Sequence, residues 1–322
     1  MRKQEVKWLA VLAAGLLMAG RALAGSLDPT NAPGPTMHTL QELYDKVKEN
    51  QQAILSTQLR LESIEMRISA PTAPDGMVLI PAGTNSGTDP DFGAYSLTVA
   101  DFCMDRSEVT KAQWDAVYAW AVTNGYRFDN AGSGKTASHP VQTVNWYDTV
   151  KWCNARSEKE GRSPCYTTNG VIYKTGQNTN ADCNFFATGY RLPTNTEWEY
   201  AVRGGLSGKR FPWGDTITHS NANYNSSASY SYDVCSTRGY NPAYTNGAIP
   251  YTSVAGSFSA NSYGLYDMAG NVYEWCWDQS GSDRGVRGGG WYYFAYYARC
   301  GKASWRNPDY ASDSYGIRSV CR

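Results

Sequence analysis

SYGLYDMAGNVYEWCWD, residues Ser262 to Asp278, decides how the rest of the chain is read. Tyr263, Tyr266, Tyr273, Trp275 and Trp277 stand among Gly264 and Gly270 in a run without helical or strand periodicity. The same bias runs outward through all 322 residues, with 11 Trp, 24 Tyr and 31 Gly against 8 Phe. Trp and Tyr carry large apolar bodies with a polar handle, and Gly permits turns and close backbone approach. That mix predicts an irregular, loop-rich α+β domain in which these rings are mainly core. Lys+Arg and Asp+Glu are both 29, so no basic excess points to nucleic acid.

Few windows read as helices. Lys111 to Val122 sets Trp114, Val117, Tyr118 and Ala121 on one face. Trp146 to Arg156 carries Tyr147, Val150, Trp152 and Cys153. Thr194 to Val202 opens on Thr194 as N-cap with Glu197 at N3, a capping box. The remainder of residues 77–322 reads as short β segments in Asn/Ser/Gly loops, one domain without repeats.

The N-terminal quarter is different. Arg2, Lys3 and Lys7 precede an uncharged apolar run, Trp8 to Gly20, and Ala22-Leu23-Ala24 ends it. This is the pattern of a cleaved signal peptide over residues 1–24. The run falls short of the ~20 residues that span a bilayer, so no stable membrane insertion is expected and the mature protein is expected to be secreted or periplasmic. A flexible lead covers 25–36. From 37 to 69 Gly and Pro vanish, and Leu40, Val47, Ile54, Leu61 and Ile68 recur every seventh position. A sustained heptad on a polar helix predicts a coiled coil, making the chain its own partner as a dimer or trimer. An amphipathic helix packed on its own domain is the alternative. Residues 70–76, opening Ala-Pro-Thr-Ala-Pro, form a short stiff linker.

Several blocks then follow in order: MVLIPAG (77–83), RSEVTKAQW (106–114), HPVQTVNWYDTVKWCNA (139–155), YRLPTNTEWEYAVRGG (190–205), FPWGD (211–215), the opening stretch, RGGGW (287–291) and YGIRSV (315–320). In order and spacing these resemble the formylglycine-generating enzyme (sulfatase-modifying factor) family across residues 77–322. The resemblance implies an irregular α+β fold of the C-type-lectin type, here preceded by the long coiled-coil helix. It also implies calcium at a site with carboxylates from Asp267 and Glu274 and backbone carbonyls from Gly270 and Val272. Hard oxygen ligands of that kind suit Ca²⁺. Asn223 and the Tyr224 carbonyl would belong to a second site. The same carboxylates have an ordinary alternative, in which they cap turns or pair with arginine. Arg191, Arg203, Arg287 and Arg318 are expected to pair with Glu108, Glu197, Glu199 and Glu274, a task suited to a planar, permanent charge.

Family catalysis resembles copper-dependent oxidation by O₂ through two thiols, which soft Cu(I) requires. In this chain the first thiol's position falls on Tyr293, and the second's stretch holds Tyr296, Tyr297 and Ala298. No catalytic residue is therefore assigned and copper is not expected. Trp291, Tyr292, Tyr293, Tyr296 and Tyr297 would instead line a ligand groove. With only His38, His139 and His219, a three-histidine iron site within the domain is impossible, and His139 is read as a hydrogen-bonded structural residue. No nucleophile elbow, P-loop or dinucleotide fingerprint is present.

The eight cysteines all follow residue 100, and in an exported chain an even number suggests disulfides. Cys165 and Cys183 bracket a polar excursion that a bridge would close. The resemblance implies that Cys153 and Cys300 are structural, with Cys153–Cys321 favoured as a bridge and Cys276–Cys300 as a weaker one. Two functions are carried forward: an exported, calcium-stabilised module binding a protein, peptide or glycan, and an oxidoreductase converting a sulfatase cysteine to formylglycine.

Overall fold

The computed structural model describes residues 40–69 and 73–322. The expected signal peptide (1–24) and lead (25–36) lie outside the described residues, as do residues 37–39 of the expected coil and 70–72 of the linker. The chain divides after Ala70 into two units. The first holds helix α1 (Leu40–Ser69), in the Gly- and Pro-free stretch. Its heptad residues Val47 and Ile54 are 56% and 54% exposed.

The second unit opens with strand β1 (Met77–Ile80), the hairpin β2 (Gly83–Asp89) and β3 (Gly93–Val99), and β4 (Phe102–Asp105). Helix α2 (Lys111–Thr123) and helix α3 (Trp146–Lys159) follow. A small sheet of β5 (Tyr166–Thr168), β6 (Val171–Ile172) and β7 (Asp182–Cys183) precedes helix α4 (Asn195–Arg203). The last strands are β8 (Tyr273–Ser280), β9 (Asp283–Arg287), β10 (Ser304–Arg306), β11 (Tyr315–Gly316) and β12 (Val320–Cys321). They assemble in the orders β1-β4-β12 and β10-β9-β8-β11, with β11 parallel to β8.

Local chemistry explains the helices. Each of α2, α3 and α4 begins with a reciprocal capping box: Thr110/Gln113, Asn145/Asp148 and Thr194/Glu197. Each cap satisfies orphan amide donors, an effect of about 1 kcal/mol. Trp114, Val117 and Ala121 of α2 are buried as their spacing predicts, and Trp114 stacks on Trp152 of α3 at 5.5 Å. Helix α4 stops at Gly204, whose φ of 55° is left-handed; glycine meets that requirement without a Cβ penalty.

The expected arginine–carboxylate pairing is present with one change. Arg191 pairs with Glu197, Arg203 with Glu199 and Asp89, Arg287 with Glu199, and Arg318 with Glu274. Among the described residues Glu108 forms no ion pair. Its Oε2 accepts from Asn271 at 3.3 Å and its Oε1 has no hydrogen-bond partner. Burial, reinforced by the Asp267 charge, pushes its carboxyl well up.

Candidate functional site

The aromatic run begins where β9 ends. Gly288 and Gly289 take φ of 88° and 71°, and a Cβ on Gly289 would meet the Tyr297 backbone at 3.0 Å. That close approach folds Trp291 to Ala298 back over β8. The Trp291 amide donates to the Asn271 carbonyl (2.7 Å) and the Tyr293 amide to the Gly290 carbonyl (2.9 Å). A single 3₁₀ turn, Ala295–Ala298, completes the segment with Ala295 and Ala298 buried.

These bonds sort the rings into two sets. Trp291 is buried and its Nε1 donates to the Asp313 carbonyl. Tyr293 meets Tyr273 edge-on at 4.8 Å, and its hydroxyl lies 3.1 Å from that of Tyr315. Arg306 Nε donates to the same Tyr315 hydroxyl at 2.8 Å. Burial and the Tyr293 hydroxyl hold the Tyr315 phenol above its ordinary range, so it stays protonated as a link in this chain. Tyr297 packs on both Tyr273 and Tyr293. Outward stand Tyr292 and Phe294, 53% and 40% exposed, with Tyr310 at 42%. Tyr292 touches Tyr293, Tyr310 touches Tyr315, and Phe294 meets Tyr230, which also meets Tyr296. Arg299 lies 4.0 Å over the Tyr296 ring. The expected groove residues thus come together, but Trp291 is an anchor beneath the surface and Phe294 and Tyr310 join the exposed set.

The expected calcium ligands are also neighbours, engaged in other work. Both Asp267 oxygens accept backbone amides, from Gly256 and Ser257 on one and Phe258 (3.0 Å) on the other. Glu274 Oε1 accepts from Arg318 Nε at 2.8 Å and its Oε2 from Trp198 Nε1 at 2.6 Å. Gly270 and Val272 stand on the intervening segment, and Gly270 bridges to Asn223. All four carboxylate oxygens already accept at least one hydrogen bond and a buried guanidinium stands beside them, so the set as it stands is engaged by protein donors. Asp267 caps a turn and Glu274 pairs with arginine, as the alternative reading of those residues held. Among the described residues no group of three or more His, Cys, Asp or Glu is arranged to hold a metal.

Asn223 donates to the Tyr251 carbonyl and accepts from the Asn271 amide. Tyr224 donates through its hydroxyl to Asp233 at 2.7 Å. Sequence reasoning missed Asp233, which also gathers the Ser226 hydroxyl and the Ser227 and Cys235 amides. Its partners come from one aperiodic loop, so only an acidic residue amid hydroxyls signals it. His139 is a structural residue as expected, its Nδ1 2.9 Å from Thr252 Oγ1.

All eight cysteines are free thiols in this structure. Cys165 and Cys183 lie on neighbouring strand positions, Tyr166 being the register partner of Cys183. Cys276 and Cys300 share one core cluster. Cys321 sits opposite Cys103, and both share a core cluster with Cys153 and Cys165. Strand register, set by non-local packing, puts Cys321 of β12 opposite Cys103 of β4, and the expected Cys153–Cys321 bridge is not formed in this structure.

An α+β domain with few helices and this order of blocks defines a sulfatase-modifying factor fold. Residues 65–322 match the sulfatase-modifying factor enzyme 1-like domain, and the chain belongs to that family. The chaperone protein LppX of Paenibacillus barcinonensis is 33% identical over 239 residues, covering 68% of this chain and 80% of its own. The formylglycine-generating enzyme of Mus musculus is 29% identical over 289 residues, covering 77% and 75%. Among solved structures, Treponema denticola variable protein 1 is similar at a TM-score of 0.59 and 27% identity, covering 76% of this chain and 94% of that one.

Proposed function

We propose that this chain is an exported binding or interaction module without formylglycine-generating activity. It meets a protein, peptide or glycan through the aromatic surface around Tyr293, and it self-associates through α1 as a dimer or trimer. The observation that carries the reading is the division between anchored and free rings. Trp291, Tyr293 and Tyr297 are held by hydrogen bonds and ring contacts, while Tyr292, Phe294 and Tyr310 stand exposed above them. Three exposed aromatic rings, each packed on a different neighbouring ring, do little for the fold, yet they offer contact area at low entropic cost. Two relatives support the breadth of the family, one bearing the name of a chaperone and one that of a variable protein.

The competing oxidase reading needs a thiolate pair for Cu(I). In the proposed reading tyrosines fill that position, and the following thiol, Cys300, is pushed up to about 12 by burial. It is a protonated, inert thiol at neutral pH. The test screens the purified mature chain on peptide and glycan arrays. Binding is expected, and the Tyr292→Ala/Phe294→Ala variant should lose it with an unchanged thermal midpoint. Retained binding in that variant would remove the surface from the account. Conversion of a sulfatase-derived peptide cysteine to formylglycine, with copper and O₂ supplied, would overturn the reading as a whole.

A further inference from the structure

We infer that Cys103 and Cys321 form a cross-strand disulfide that clamps the segment Tyr315–Cys321 to β4. The register decides the geometry. Cys321 on β12 is the direct partner of Cys103 on β4, as Val320 is of Met104. Two residues back, the Asp105 amide donates to the Ser319 carbonyl at 2.9 Å. Val320 turns its amide and carbonyl the other way, to Arg191 at 2.8 and 2.9 Å. Cys103 and Cys321 therefore fall on the hydrogen-bonded class of antiparallel pair, with Cα atoms about 5.5 Å apart. That Cα spacing lies within the range disulfides use, and closing the bridge draws the two Cβ atoms, set farther apart in this class of pair, in to about 4 Å. Both thiols are buried, at 3% and 0% exposure, and the Cys321 thiol donates to Met77 Sδ at 3.7 Å.

Formation needs a small disulfide such as oxidised glutathione. While β12 is undocked, the Cys103 thiolate attacks one glutathione sulfur, forming a mixed disulfide and releasing one glutathione thiolate. The Cys321 thiolate then attacks the Cys103 sulfur and releases the second. Two protons and two electrons pass from the cysteines to the glutathione disulfide, which leaves as two thiols. The consequence is structural. β12 is only two residues long, yet the segment before it delivers Arg318 to Glu274, Ser319 to Asp105 and Tyr315 to the hydroxyl chain beneath the aromatic surface. A covalent tie at Cys321 holds all three in place.

The experiment uses the full chain, incubated with oxidised glutathione, alkylated at free thiols and digested without reduction. A linked peptide joining Cys103 to Cys321, lighter than its two parts by two hydrogens, is expected. The oxidised chain should melt about 10 °C above the same sample treated with a phosphine reductant. Cys103→Ser should abolish that difference, and Cys165→Ser/Cys183→Ser should keep it. Recovery of Cys321 linked to Cys153, alkylated, or carrying only glutathione after oxidation would overturn the inference. The wild-type map decides the matter even where Cys103→Ser fails to fold.

Discussion

Replacing Glu274 by Gln tests whether its carboxylate is a structural counter-charge. The side chains of Arg318 and Glu274 are 0% and 1% exposed, and their charged atoms are 2.8 Å apart. Gln preserves shape and one acceptor, but it turns an amide N–H toward either Arg318 or the Trp198 Nε1–H. It also strips Arg318 of its paired charge. Breaking a buried pair from one side costs about 3–5 kcal/mol, since an uncompensated charge is left in the interior. Arg318 keeps the carbonyls of Asp105 and Tyr266, at 2.9 and 2.8 Å, so the lower end, about 3 kcal/mol, applies. For a domain of this size that lowers the thermal midpoint by about 6–12 °C. Urea denaturation followed by tryptophan fluorescence reads the change directly, with the slope unchanged. The companion variant Arg318→Met/Glu274→Leu should lose less than Glu274→Gln, because it removes both buried charges. A Glu274→Gln loss below about 1 kcal/mol would refute the counter-charge argument. So would a wild-type chain whose midpoint falls by a similar amount on chelation with EDTA, for then a cation, and not Arg318, would be the main partner of Glu274.

Two further outcomes follow from buried and exposed groups. Burial pushes the imidazoles of His139 and His219 below their ordinary range, so the unfolded chain takes up their protons first. Stability should be full above the ordinary histidine value of about 6.5 and decline as pH falls below it. His139→Gln should flatten that part of the urea-midpoint profile, and an unchanged slope would remove His139 from it. Along α1, Val47→Asp/Ile54→Asp should convert a dimer or trimer to a monomer by light scattering at micromolar concentration, whereas a monomeric wild type would end the coiled-coil proposal.

What could be read from the sequence divides along the range of the forces involved. The three domain helices were legible because their causes lie within four residues of one another: Thr194 needs Glu197, and the Trp114 face needs only its own helix. The arginines were legible as a class, because a buried guanidinium demands carboxylate. Their partners were only partly so. Arg203 draws Asp89 from the β2–β3 hairpin, and Glu108 ends beside Asn271, and both contacts join segments far apart in the chain. The place of Cys321 opposite Cys103 was not legible for the same reason, since one step of register chooses which thiol it faces.

The aromatic run shows a third situation, in which neither local nor distant contacts specify a side chain. The close approach at Gly289 and the 3₁₀ turn determine that positions 291 and 295 point in and 292 and 294 point out. Trp291 is demanded by its bond to Asp313, and Tyr293 by Tyr273 and Tyr315. Tyr292, Phe294 and Tyr310 receive no comparable demand, and substitutions at such surface positions usually stay within about 0.5 kcal/mol. These positions can therefore change partner chemistry without unsettling the domain. Replacement of an anchored ring such as Tyr293 alters surface and core together, so a binding specificity built on this scaffold is confined by the packing beneath it to the outward set.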